Sequence, residues 1–73
     1  MNEKIITIIS TVSKKSALEI NQHLESKNLW DSFSHLELVL ALEDEFGIML
    51  EAEEISEMVT PSLVIKTVEE KMK

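Results

Sequence analysis

Asp31-Ser32-Phe33-Ser34-His35-Leu36-Glu37-Leu38-Val39-Leu40-Ala41-Leu42-Glu43-Asp44-Glu45-Phe46-Gly47-Ile48 is the clearest helix in a chain of 73 residues. Asp31 stands where a cap accepts a backbone N–H, and Ser34-His35-Leu36-Glu37 spells a second capping box, so the start is open by a few residues. Either start puts Ser32 at the helix mouth, and Gly47 offers a C-terminal stop. At about 100° per residue, Leu38, Val39, Leu42 and Phe46 form one contiguous apolar face, which reads as core. Phe33, Glu37, Leu40 and Asp44 form a second stripe in which large apolar residues alternate with acids. A solvated face does not normally carry Phe and Leu, so the stripe suggests docking onto a basic partner with hydrophobic anchors. The competing reading folds Phe33 back under the preceding loop.

Outward from this helix, the spacing of apolar residues and the single Gly and single Pro argue for an all-helical domain. Ile5, Ile6, Ile9 and Val12 share one stripe of a first helix from about Asn2 to Ser13, with Lys14 and Lys15 in its last turn. Ser16 to Trp30 reads as a long ordered loop with room for a short turn around Ala17 to Leu24, pinned by Ile20, Leu24, Leu29 and Trp30. Glu51 to Met58 is a short acidic helix. Thr60-Pro61 opens the last one, with Pro at its first position and Leu63, Val64, Ile65 and Val68 facing inward.

Composition narrows the function. A chain this short forms one domain, 1–73, and has little surplus apolar surface for a roofed active site. With no Cys it is neither a disulfide-stapled miniprotein nor a thiol enzyme, and a reducing cytoplasm fits. Seven Lys, no Arg and fourteen acids give a formal charge of −7, which disfavours nucleic acid and favours basic partners. No basic residue lies between Lys27 and Lys66, whereas nine acids do, from Asp31 to Glu57, and they concentrate the negative field on the middle of the chain. The same acids also fit a surface that is only solvated. The apolar run at the N-terminus is far short of the roughly 20 residues that span a bilayer, and nothing there reads as a signal peptide.

Asp31-Ser32-Phe33 followed by Leu36 to Ile48 closely resembles the acyl carrier proteins, in which D-S-L or D-S-F opens the second helix and an E-L-V-x-A-L-E-x-E-F-G-I run continues it. The likeness extends over nearly the whole chain. It implies a small four-helix bundle of acyl-carrier type with a long loop between helices 1 and 2, and a monomer without enzymatic activity of its own. It also implies that Ser32 carries 4′-phosphopantetheine, attached from coenzyme A by a phosphopantetheinyl transferase (a holo-acyl-carrier synthase), whose thiol holds acyl groups as thioesters. Asp31 would help to place the modifying enzyme's metal and coenzyme. Phe33, Glu37, Leu40, Glu43 and Asp44 would form the recognition helix read by basic patches on acyl-transferring enzymes of fatty-acid or specialised biosynthesis. Leu42, Leu50, Ile55, Met58 and Val64 would line an acyl pocket, although each alone reads as ordinary core. Two features depart from the family pattern. Leu29-Trp30 stands where Gly-Ala is common, and Ser34-His35 stands where an acid often follows the modified serine. D-S-F is also the form associated with D-alanyl carriers, so an aminoacyl cargo is the alternative.

Other classes compete. An enzyme reading takes Ser32 as nucleophile, His35 as base and Asp31 nearby, but offers no Gly-rich oxyanion turn. A metal-sensor reading lacks the alternating ligands and mid-loop Gly of a calcium loop. A four-helix acidic module that docks a basic partner without any prosthetic group remains a distinct alternative.

Overall fold

Ile5, Ile6 and Ile9 are buried along the inner face of α1 (Asn2–Ser13), with Ile8 and Val12 packed against them. The computed structural model describes residues 2–73, so Met1 of the expected 1–73 domain lies outside the described residues. The helix ends where Lys14 adopts a left-handed φ of 61°, and the Lys15 N–H donates to the Ser10 carbonyl at 3.2 Å. Lys14 and Lys15 therefore follow the helix, a correction to their expected place in its last turn.

The expected loop begins with a helix of its own, α2 (Ala17–Gln22). The Ser16 side chain caps it by accepting the Glu19 N–H at 3.1 Å, and Ile20 is buried in the core. Ser16-x-x-Glu19 is the sequence signature of such a start. Leu24, Leu29 and Trp30 are half-buried against the core, and the Leu24 carbonyl accepts the Ser62 N–H at 2.9 Å, which ties the loop to the last helix. The described residues thus form five helices where four were expected.

α3 (Ser32–Phe46) starts at Asp31 and not at Ser34, because the Asp31 carboxylate accepts the Ser34 N–H at 2.8 Å. It stops at Gly47, whose φ of 63° is the left-handed value that a glycine adopts without steric cost. Glu51 precedes α4 (Ala52–Glu57), where the Glu54 side chain accepts the Glu51 N–H at 2.9 Å and also pairs with Lys71 at 3.0 Å. Thr60 caps α5 (Pro61–Lys71) by accepting the Leu63 N–H at 3.1 Å, with Pro61 at the first position, where no N–H is needed.

The core joins Ile5 and Ile9 of α1, Ile20 of α2, Leu38 and Leu42 of α3, Met58, and Val64 and Val68 of α5, all fully buried. α1 is the central element, packed against α3, α2 and α5. Leu63, expected to face inward, lies at the surface, because the buried pair Val64 and Val68 one helical turn apart fixes a face that turns Leu63 about 100° away.

Candidate functional site

Ser32 is the first residue of α3, and it is exposed. Asp31 ahead of it is extended (φ −86°, ψ 179°), a conformation that lets its carboxylate reach back to the Ser34 amide while its carbonyl accepts the His35 N–H at 2.9 Å. The backbone and side-chain hydrogen bonds from Ser34 hold the Asp31 carboxyl below its ordinary pKa. The amides of Ser32 and Phe33 have no helical acceptor, as is general for a first turn, and they sit at the positive end of the helix dipole.

The surface beyond Ser32 is apolar and acidic. Phe33 is 71% exposed, Leu36 60% and Leu40 66%, values that leave most of each side chain in water. Glu37 and Asp44 are exposed among and beyond them. Phe33 therefore does not fold under the loop. Leu36 belongs to this surface although it carried no role in the sequence reading; its place at i+3 between Phe33 and Leu40 is the signal.

Glu43 differs from the other expected contact residues. It is half-buried, and one carboxylate oxygen accepts the Leu50 N–H at 2.8 Å, so it braces the turn between α3 and α4 from within. Two further acids are paired, Glu45 with Lys4 at 2.9 Å and Glu54 with Lys71. Of the nine acids between Lys27 and Lys66, Glu37, Asp44, Glu51, Glu53 and Glu57 are exposed and make no ion pair in the structure.

A cleft of about 410 Å³ opens beside Ser32 and Asp31, walled by Trp30, His35, Leu36, Ser56 and Val59. The residues expected to line an acyl pocket lie elsewhere. Leu42, Met58 and Val64 are fully buried, Leu50 is nearly so, and Ile55 is half-buried against the same core. They come together as packed interior, and none of them lines the cleft.

One wall of the cleft is held by a hydrogen-bonded bridge. The Trp30 indole donates from Nε1 to His35 Nδ1 at 2.9 Å, and His35 Nε2 lies 2.7 Å from the Ile55 carbonyl. The two rings are 8° from parallel with centroids 6.3 Å apart, so they meet edge to edge, as an in-plane N–H···N bond requires, and not face to face. Indole N–H only donates and a carbonyl only accepts, which leaves one assignment of the ring: a neutral imidazole with bare Nδ1 and the proton on Nε2. Both ring nitrogens of His35 are thus engaged, one by Trp30 and the other by Ile55. Among the described residues no group of three or more His, Asp or Glu side chains comes together that could hold a metal ion, and no helix is long and apolar enough to cross a membrane.

No protein-family model matches the chain.

Proposed function

We propose that this chain is a carrier protein of the acyl-carrier type, modified on Ser32 with 4′-phosphopantetheine from coenzyme A. The observation that carries the reading is the setting of Ser32: an exposed hydroxyl at the mouth of α3, directly after a charged Asp cap and beside an exposed apolar and acidic surface. In this reading α1, α3, α4 and α5 are the four helices of the carrier bundle, and α2 lies within its long first loop.

The residues divide the work. Ser32 presents the hydroxyl that is esterified. The amides of Ser32 and Phe33 and the positive end of α3 favour the phosphodiester anion formed there. Asp31 fixes the start of the helix and keeps a carboxylate next to the serine, in position to meet the modifying enzyme's metal. Phe33, Leu36 and Leu40 are the anchors for basic partners, and Glu37 and Asp44 steer those partners through long-range attraction. The arm, once attached, supplies a thiol that carries cargo as a thioester. The partners are a phosphopantetheinyl transferase and acyl-transferring enzymes with basic docking patches, and the chain works as a cytoplasmic monomer.

The packing of Leu42, Leu50, Met58 and Val64 favours a particular cargo. A long acyl chain would have to part fully buried side chains, whereas a very short acyl or an aminoacyl group needs no interior space. The aminoacyl form of the carrier is therefore the second reading. Intact mass after coexpression with a phosphopantetheinyl transferase tests the proposal, since a carrier gains one covalent arm and a docking module without a prosthetic group gains none.

A further inference from the structure

Trp30 and His35 flank the Asp31-Ser32 pair in sequence, and they are bonded to each other in space. The far end of their bridge, the Ile55 carbonyl, belongs to α4, a helix of six residues. So short a helix has little stability of its own and is held by its neighbours. At its C-terminal end the Met58 N–H donates to the same carbonyl at 3.3 Å. The imidazole of His35 thus joins the loop entering α3 to α4, along one wall of the cleft that begins at Ser32.

We propose that Trp30 and His35 are positioning residues of the Ser32 site: the neutral imidazole, accepting from Trp30 and donating to Ile55, sets the shape of the cleft beside Ser32, and proton uptake by His35 releases it. An imidazolium carries N–H at both nitrogens. Its Nδ1–H faces the Trp30 N–H donor to donor, while the bond to Ile55 survives. Release therefore frees the loop side, Trp30 with the residues leading to Asp31, and leaves α4 attached. Asp31 also lines the cleft, with its carboxylate engaged by the Ser34 amide. The remaining ionisable groups of the surrounding elements are His23, Glu25 and Lys27 on the loop, Glu37 and Asp44 on α3 with Glu43 bonded to the Leu50 amide and Glu45 paired with Lys4, Glu51 ahead of α4, the exposed Glu53 and Glu57 on α4, and Glu54, which is paired with Lys71. None of them hydrogen-bonds the ring in the structure.

The consequence for modification rests on the carrier reading, but the bridge can be tested without it. Trp30 is the only tryptophan of the chain, and His23 is the only other histidine. The experiment follows Trp30 fluorescence of the unmodified chain as the pH is lowered from neutral. Far-UV circular dichroism is recorded on the same samples. The wild type and His23→Gln are expected to show one transition in emission with helicity retained. His35→Gln, whose amide offers an acceptor and a donor but does not titrate, is expected to lose it. The ratio of wild-type to His35→Gln modification rates, taken at each pH so that the transferase's own pH dependence cancels, is expected to fall several-fold across the same transition. The ratio of Trp30→Phe to a Trp30→Phe/His35→Gln double variant should stay flat. A transition that persists in His35→Gln, is missing from the wild type or coincides with loss of helix overturns the bridge. A flat wild-type ratio alongside an intact fluorescence transition overturns the positioning role. Failure of every form to be modified overturns the reading of Ser32 and the positioning role with it, while the fluorescence still decides the bridge.

Discussion

Leu40 and Leu42 stand two residues apart on α3 in opposite environments, and truncating each to Ala separates the two faces of the helix. Leu42 is fully buried, so Leu42→Ala loses the transfer free energy of its methyl and methylene groups and leaves a cavity, about 2–5 kcal/mol in all. A domain of 73 residues has a total stability of about 4–11 kcal/mol, so this single change removes a large part of it. Leu40 is 66% exposed. Full burial of a Leu contributes about 1.5–3 kcal/mol, so the covered third of Leu40 contributes about 0.5–1 kcal/mol, and the higher helix propensity of Ala offsets part of that loss. The effects on docking run the other way. Removing an interface anchor costs about 1–2 kcal/mol, or a 5- to 30-fold loss in kcat/KM for modification. Urea unfolding followed by circular dichroism gives the stabilities, and initial rates at limiting carrier concentration give kcat/KM. The reasoning is refuted if Leu40→Ala unfolds as readily as Leu42→Ala, or if it is modified as fast as the wild type.

Further outcomes follow from the same surfaces. Asp31 has a lowered pKa in the folded chain, so its cap contributes stability that is present above the unfolded carboxylate value and is lost as the pH falls through the folded value. The stability gap between wild type and Asp31→Ala should accordingly be constant near neutral pH and shrink in acid; a gap independent of pH contradicts the charged cap. Glu37→Lys and Asp44→Lys should slow modification without loss of helicity, and added salt should slow the wild type toward the same rate, whereas salt-independent rates would rule out steering. Thr60→Ala should cost about 1 kcal/mol in urea unfolding through loss of the α5 cap, and no measurable loss would mean the Leu63 amide finds another acceptor. Octanoyl loading should leave the melting temperature of the holo form near its starting value, as should alanyl loading. A clear rise with octanoyl would show that the packed interior opens for an acyl chain, because each buried methylene contributes about 0.8 kcal/mol.

The parts of the fold legible in the sequence are those specified locally. Asp31, Gly47 and Thr60-Pro61 each act within one helical turn, and they mark the ends of α3 and the start of α5 where the side-chain chemistry places them. The burial of Leu38, Val39 and Leu42 against the exposure of Phe33 and Leu40 follows from a fixed angle per residue. α2 was legible too, through Ser16 and Glu19, but the Asn, Gln and His around it read as loop. Helix formation there depends on Ile20 reaching the core, a tertiary contact that outweighs local propensity. The bridge from Trp30 through His35 to Ile55 spans 20 residues at its longer step, and no spacing rule announces such a bond. The bond that Glu43 makes is hidden in the sequence for a related reason. Its angular position on α3 is that of a surface acid, and only the course of the chain after Gly47 brings the Leu50 amide within its reach.

Mass spectrometry of the purified chain after incubation with coenzyme A and a phosphopantetheinyl transferase, with fragmentation to locate the adduct, tests the central claim most directly. The account predicts one arm per chain, placed on Ser32 and on none of the seven other serines, and no adduct on Ser32→Ala. An unmodified wild-type chain, or an arm that persists in Ser32→Ala, would contradict it.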